Sequence, residues 1–219
     1  MKRSPSTNVY RVSTFLLALL MLPILQQSGR RHNITPTLTI VASEVQAVTP
    51  VGLKKSVFQA WSPANSNQFS ERKNPSIFEA LNSEEKSSMG TRYPTSKLLE
   101  VLVCREIARL HPVSQTKVTL NFANPGWCHS ELARETDSAV LRFVMKLVCR
   151  TTEVGSRPLA YAGLAGPDTH GKYLTNCRVE PCAPLVEGKE GPALQRRVWG
   201  ELSEMLERIQ PGVTANLDS

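Results

Sequence analysis

The apolar positions of the chain include two long runs that predict buried helices. Residues 12–25 and 98–110 are apolar over more than half of a helical circumference, which is typical of helices covered on most sides. We expect the first helix to end between Pro23 and Gly29. The second helix begins at Tyr93, because the proline that follows it is harmless in the first turn of a helix.

Periodic apolar residues predict further helices in the second half of the chain. Two shorter patterns, at 140–149 and 159–162, are each compatible with one packed helical face. Between 194 and 209 apolar residues recur every three or four positions and stop before a Pro-Gly pair. This last pattern predicts a C-terminal helix at 190–210.

Three short runs rich in β-branched or other apolar residues predict strands at 37–43, 118–122 and 171–174. Helices and strands alternate, which favours an α/β domain whose parallel strands are joined by right-handed crossovers. Ligands bind such sheets beyond the carboxyl ends of the strands. Ser43 and the turn at 124–126 follow two of the predicted strands, so we expect both at the same edge.

Residues 51–92 interrupt this order with a polar composition and no sustained period. A structureless connection of this length is unusual inside a compact domain, so we interpret it as an insertion or a functional lid, with 54–68 its most dispensable part. Within it, 75–81 predicts a short helix with Asn74 as its N-cap. The start of the chain, 1–11, is predicted to be poorly defined.

Composition and charge exclude several classes of protein. The chain has 219 residues, 41% of them apolar, which suffices for one core. Its net charge of +7 is scattered, so no nucleic-acid partner is indicated, although a basic surface suits a small ligand that carries phosphate. The cysteines show neither metal-ligand nor disulfide spacing, so we predict reduced thiols and no metal site: Cys104, Cys128, Cys149, Cys177 and Cys182.

The apolar run 15–22 follows Lys2 and Arg3, as in a signal peptide or a short anchor. The run is shorter than the roughly twenty residues that span a membrane, and no small-residue cleavage site follows it. We therefore expect a cytoplasmic protein in which this helix belongs to the core. A membrane-associated protein held by residues 12–25 is the alternative.

Tyr93 and Lys97 lie one helical turn apart, so both side chains can reach the same point. A phenol with a pKa near ~10 is a poor base at neutral pH, and a neighbouring cation favours the phenolate. Lowering that pKa by about three units requires roughly 4 kcal/mol of differential stabilisation. The same spacing occurs by chance in helices with a core tyrosine, and what favours an acid/base pair here is the predicted proximity of Ser43 and the 124–126 turn.

The ordered set of Ser43, the motif Tyr93-Pro94-Thr95-Ser96-Lys97 and the turn Asn124-Pro125-Gly126 resembles the second half of a short-chain dehydrogenase/reductase. The similarity is to the retinol-dehydrogenase-like members common in fungal secondary metabolism, and it covers the chain from Val12 to Gly212. It implies a Rossmann-like parallel sheet flanked by helices. It also implies hydride transfer between NAD(P)(H) and a carbonyl or an alcohol.

The resemblance assigns roles to individual residues. Tyr93 is implied to be the general acid/base, Ser43 to hydrogen-bond the substrate oxygen, and Lys97 to lower the tyrosine pKa and bind the nicotinamide ribose. Residues 132–165 correspond to the helices that cap the substrate in this family. The cofactor-binding residues implied in this way are Tyr93, Lys97, Pro125, Gly126 and Ser130.

The sequence departs from the family pattern in three ways. The glycine-rich turn and the first nucleotide-binding β-α units are not found, so we expect residues 1–219 to be one N-terminally truncated, partial Rossmann-like domain. The asparagine expected in the first helix is replaced by Tyr10. The segment between Ser43 and Tyr93 is longer than usual.

Two functions are compatible with this pattern. The first is an NADP-dependent oxidoreductase, with NAD not excluded, that acts on a small carbonyl or alcohol substrate in the biosynthesis of a secondary metabolite such as a terpenoid or a polyketide. The alternative is a catalytically inactive remnant that acts, if at all, as a partner of a full-length homologue. For either function the helices 12–25 and 98–110 are candidate contacts in a homo- or hetero-oligomer.

Overall fold

The computed structural model describes residues 7–43, 69–83, 92–126, 128 and 150–218, with the backbone alone at 7–11 and 92–93. In chain order the elements are α1 (Thr7–His32), β1 (Thr37–Val41), α2 (Ile77–Asn82), α3 (Arg92–Leu110), α4 (Val113–Thr116), β2 (Thr119–Asn124), α5 (Thr152–Leu164), β3 (Tyr173–Thr175), β4 (Arg178–Glu180), α6 (Pro184–Glu187) and α7 (Gly191–Ile209). Short 3-10 turns lie at Ser70–Lys73, Pro167–Thr169 and Val213–Leu217.

The strands form one sheet in the order β1-β2-β3-β4. β1 and β2 are parallel, β2 and β3 are parallel, and β3 and β4 are antiparallel. Every residue of β2 is buried, as expected for a parallel strand that is covered on both faces. The predicted α/β class, a partial Rossmann-like sheet flanked by helices, is confirmed.

Helices cover both faces of the sheet, and successive residues of β2 point to opposite faces. Phe122 lies in the main core, which α1, α3 and α7 share, whereas Ala123 packs against Ala162 of α5. The Asn121 side chain also lies on the α5 side of the sheet. Its Nδ2 donates to the Ala162 carbonyl of α5 (2.9 Å), and its Oδ1 accepts a hydrogen bond from Thr39 of β1 (2.8 Å). The buried amide thus connects β1, β2 and α5.

Helix α1 continues through Pro23 to His32, so the prediction that it ends between Pro23 and Gly29 is wrong. Proline has no N–H to donate to the carbonyl four residues earlier, which belongs to Leu19. In the folded chain Nδ2 of Asn216 donates to that carbonyl at 3.1 Å. A side chain almost 200 positions away therefore replaces the missing backbone donor.

Helix α1 is buried along one face and exposed along the other, rather than covered on most sides as we predicted. Phe15 is 1% exposed, whereas Leu17 and Ile24 are 62% and 58% exposed. Among the described residues, the segment Val12–His32 is long and apolar enough to cross a membrane, and 33% of its most apolar window is buried. Length and composition do not separate a core helix from a spanning helix, so the cytoplasmic location and the oligomer contact through 12–25 stay predictions.

The predicted boundaries of α3 agree with the structure to within one residue, since the helix runs from Arg92 to Leu110. Its apolar residues, from Leu98 to Ile107, are buried within the chain itself by the sheet, α1 and α7. The contact of this helix with a second copy stays a prediction.

Two other local predictions need correction. Helix α2 is capped by Ser76, whose Oγ accepts a hydrogen bond from the Glu79 N–H at 3.3 Å, and not by Asn74; the Ser-x-x-Glu spacing is a capping-box signal that we overlooked. Strand β4 was not predicted. It follows β3 after a two-residue turn, Asn176-Cys177, in which both residues have positive φ, the conformation of a tight hairpin turn.

The described part of the polar 51–92 segment, residues 69–83, is attached firmly to α7. The Glu201 carboxylate accepts hydrogen bonds from the backbone N–H groups of Ile77 and Phe78, both at 3.0 Å, and so caps the start of α2. The Arg197 guanidinium donates to backbone carbonyls between Arg72 and Pro75. The stretch 54–68, which we predicted to be the most dispensable, lies outside the described residues, as does the helix predicted at 140–149. The lid and the substrate cap therefore stay predictions.

We predict that the hydrogen bond from Asn216 stabilises the protein only because Pro23 is present. Asn216→Ala should reduce the free energy of unfolding by about 1–2 kcal/mol, because the buried Leu19 carbonyl loses its donor. In a Pro23→Ala background the new N–H at position 23 supplies that bond, so the same change should cost much less. Denaturant unfolding of the four proteins gives the coupling energy, and an Asn216→Ala effect that is equal in both backgrounds would contradict the account.

We also predict acid destabilisation through His170, whose Nδ1 accepts a hydrogen bond from the Leu120 N–H (3.0 Å) while its Nε2 donates to the His111 carbonyl (3.1 Å). Burial lowers the pKa of His170, so the unfolded chain binds this proton more tightly than the folded one. The stabilisation is therefore complete above the ordinary pKa of about 6.5 and is lost as the pH falls. The free energy of unfolding, measured in denaturant at about pH 7.5 and at about pH 5.5, should fall more in the wild type than in His170→Asn. Asparagine keeps an acceptor but does not titrate.

Candidate active site

The carboxyl ends of β1 and β2 lie side by side. The two strands are parallel with Val41 opposite Ala123, and the Ala42 N–H donates to the Ala123 carbonyl at 2.7 Å. Ser43 and Pro125 therefore leave the sheet at the same edge, as the sequence predicted. Ser43 is nearly buried, at 9% exposure.

Lys97 reaches this edge from the first turns of α3. Its Nζ donates to the carbonyl of Val41, the last residue of β1, at 2.9 Å, and to Oε2 of Glu100, also at 2.9 Å. The Lys97 side chain is 19% exposed and that of Glu100 is 6% exposed. The ammonium group is thus held close to the strand end that precedes Ser43, and it is not extended into solvent.

Tyr93 lies in the first turn of the same helix, α3. Its phenol is outside the described side chains, so the distance between the Tyr93 and Lys97 side chains stays a prediction. The helical backbone places the two residues four positions apart on one face. Ser130, the last of the predicted cofactor-binding residues, also lies outside the described part of the chain.

The turn after β2 is stabilised by its own asparagine. Oδ1 of Asn124 accepts a hydrogen bond from the Gly126 N–H at 2.9 Å, and its Nδ2 donates to Oγ1 of Thr175 on β3 at 3.2 Å. Gly126 has a φ of +78°, which a residue with a Cβ adopts only with strain. An asparagine that bonds its own backbone two residues on is a known turn signal, and it is present in the sequence as Asn124-Pro125-Gly126.

Arg150 and the start of α5 pack against this turn, and no local pattern predicted these contacts. The Arg150 guanidinium lies over Gly126, so that a Cβ there would be 3.3 Å from its Nη1. A Cβ at Gly155, in the first turns of α5, would collide with Sγ of Cys128, which contacts the Pro125 and Gly126 carbonyls at 3.5 Å. The turn is therefore enclosed between Arg150 and the start of α5.

The chain is similar to several short-chain dehydrogenases. It is 40% identical over 212 residues to the short chain dehydrogenase/reductase dmxR8 of Cryptosporiopsis sp. (strain 8999), covering 96% of this chain and 61% of that protein. It is 33% identical over 211 residues to the short-chain dehydrogenase anuD of Penicillium roqueforti (strain FM164), covering 92% of this chain and 51% of that protein. The chain is therefore a homologue of these short-chain dehydrogenases over most of its length.

Further comparisons define the extent of this similarity. The short chain dehydrogenase atnD of Emericella nidulans is 35% identical over 181 residues, which cover 80% of this chain and 51% of that protein. The chain thus spans between half and two thirds of the length of the short-chain dehydrogenases that it matches. No family model and no solved structure matches it.

The described residues bring together three of the predicted features: the end of β1 before Ser43, the Lys97 ammonium, and the Pro125-Gly126 turn. A buried hydroxyl, a cation and a backbone turn at one sheet edge form a polar site next to an apolar core. Such a site can hold a polar group of a ligand and polarise an oxygen atom.

The strain at Gly126 leads to a prediction with a control in the same chain. Gly126→Ala should reduce the free energy of unfolding by about 1–2 kcal/mol, because a Cβ is disfavoured at positive φ and presses on Arg150. A Cβ at Gly163, near the end of α5, would meet no atom within 4 Å beyond its own helical turns. Gly163→Ala should therefore stabilise the protein by up to about 1 kcal/mol through its higher helix propensity. Denaturant unfolding measures both, and a Gly126→Ala protein as stable as the wild type would contradict the assigned strain.

Proposed function

We propose that this chain carries the chemical half of an NADP-dependent oxidoreductase that interconverts a carbonyl and an alcohol on a small secondary metabolite, such as a terpenoid or a polyketide. The observation that carries the proposal is the position of the Lys97 ammonium, 2.9 Å from the last carbonyl of β1. That position is next to Ser43 and one helical turn after Tyr93.

In the proposed reaction Tyr93 moves a proton to or from the substrate oxygen. Lys97 supplies a fixed positive charge, which favours the phenolate form of the tyrosine. Ser43 donates a hydrogen bond to the same substrate oxygen and holds it in place. A positioned acid/base of this kind contributes about 10²–10⁴-fold to the rate.

The residues at the sheet edge fit the nicotinamide-ribose end of the cofactor. Lys97 uses two of its three N–H donors on Val41 and Glu100 within the described part of the chain, so a third is available for a ribose hydroxyl. In this proposal the backbone of Pro125 and Gly126, at the same edge of the sheet, holds the carboxamide of the nicotinamide. When bound, the cofactor supplies the hydride.

Cofactor binding and turnover test this proposal with the chain as given. NADPH or NADH, added up to the millimolar range, should quench tryptophan fluorescence or release heat, and the ratio of the two affinities decides between NADP and NAD. With a carbonyl substrate, Tyr93→Phe should lower kcat by about 10²–10⁴-fold. Tyr161→Phe is the matched control: Tyr161 is 41% exposed on α5 and is not one of the proposed catalytic residues, so its change should leave kcat unaltered although it lies in the predicted cap segment 132–165.

Other outcomes would contradict the proposal. If neither cofactor produces quenching or heat at millimolar concentration, the chain is not a self-sufficient reductase. If Tyr93→Phe is as active as Tyr161→Phe, Tyr93 is not the acid/base. An inactive wild-type chain that co-purifies with a co-expressed homologue would favour the non-catalytic partner instead.

A further inference from the structure

Glu100 is a buried carboxylate that the proposed reaction does not use. Its side chain is 6% exposed, and Oε2 lies 2.9 Å from Nζ of Lys97, one turn earlier on α3. The neighbouring positions on this helix, Leu99 and Val101, are apolar and buried. An acidic residue at such a position loses its hydration and needs a partner to compensate.

Stability does not explain why this position is acidic. Replacing a buried ion pair by apolar residues of similar size is often neutral or stabilising, so such a pair is weak evidence for a stabilising role. The relevant effect of the pair is therefore its effect on the position of the Lys97 ammonium. A lysine side chain is long and flexible and usually extends its ammonium into water.

The contacts of Lys97 show what the carboxylate achieves. Glu100 holds the ammonium from the helix side while the Val41 carbonyl holds it from the strand side, both at 2.9 Å. The two acceptors fix the cation at the end of β1, two residues before Ser43. Pre-organisation of this kind removes the cost of ordering a flexible side chain when a ligand binds.

The negative charge of Glu100 also affects Cys104, which lies one turn later on α3. Burial first, and the negative charge of Glu100 second, raise the pKa of the Cys104 thiol well above its usual range, while the positive charge of Lys97 acts in the opposite sense. Cys182, before α6, further raises the pKa of Cys104. The thiols are therefore neutral, and the ion pair that the described residues form with Glu100 is the one with Lys97 at 2.9 Å.

We infer that Glu100 is a positioning residue, which holds the Lys97 ammonium at the end of β1 in the orientation that the cofactor ribose and Tyr93 require. This inference rests on the proposed function of Lys97. Glu100 is not part of the Tyr-x-x-x-Lys motif and lies three positions after its lysine. The inference gives Glu100 a role in cofactor affinity.

The same helix supplies a matched control. Glu106 is also buried, with a side chain 2% exposed. It pairs with Arg109, three positions later, at 2.7 Å, whereas Glu100 pairs with Lys97, three positions earlier. The Arg109 side chain is 51% exposed and lies in the last turn of α3, at the end opposite to Tyr93. Glu106→Gln therefore removes a buried charge from α3 without touching Lys97.

The first test needs no turnover. Trace acetylation of the full chain, mapped by peptide mass spectrometry, gives the reactivity of Lys97 relative to the exposed Lys172. Glu100→Gln should raise that ratio by about tenfold, the factor that corresponds to the loss of one charge-assisted hydrogen bond. Glu106→Gln should leave it unchanged, and Glu100→Asp, which keeps the carboxylate, should restore part of the protection.

The second test is the affinity for NADPH, measured by fluorescence titration. Glu100→Gln should weaken binding by about tenfold and Glu106→Gln should not, because only the first variant releases Lys97. Equal labelling ratios and equal affinities in the two variants would overturn the inference. A wild-type chain that binds no cofactor would refute the proposed function, whereas the labelling comparison would still decide whether Glu100 positions Lys97. If Glu100→Gln does not fold, the same two measurements on Glu100→Asp decide, with a smaller expected change in the same direction.

Discussion

The parallel pairing of β1 with β2 is the constraint on which the candidate site depends. Because Val41 lies opposite Ala123, the residues after both strands leave the sheet at one edge. Helix α3 packs on the same sheet, and its first turns deliver Lys97 to that edge. A shift of one residue in the register would turn the alternating side chains of β2 to the wrong faces. The core and the site are thus specified by the same pairing.

Buried polar groups in this fold are satisfied by partners that are remote in the chain. The Leu19 carbonyl, which Pro23 leaves without a backbone donor, is bonded by Asn216. Asn121 connects two strands to α5, and Glu201 caps the start of α2 from another helix. An unsatisfied buried group costs about 1–3 kcal/mol, so these partners decide which backbone path is stable.

The described part of the site holds one cation in a defined position. A cation, Lys97, is held between one buried carboxylate and one backbone carbonyl. Such an arrangement keeps the ammonium in one place while it remains charged, and a fixed charge is more effective than a mobile one at stabilising a developing negative charge. The proposed function gives the tyrosine and the lysine their roles, and the inferred role of Glu100 explains why the lysine is ordered.

The sequence by itself determined the α/β class, the positions of α3, β2 and α7, and the convergence of Ser43 with the Pro125-Gly126 turn. These features depend on local periodicity, on turn residues and on the direction of parallel strands, all of which can be read along the chain. The Ser76 cap of α2 also has a local signal, in the Ser-x-x-Glu spacing. In contrast, only the tertiary structure decided that α1 continues past Pro23 and that Arg150 covers Gly126, because both depend on contacts between residues far apart in sequence. For the same reason the motif named Lys97, but only the folded chain showed that Glu100 and the Val41 carbonyl hold its ammonium.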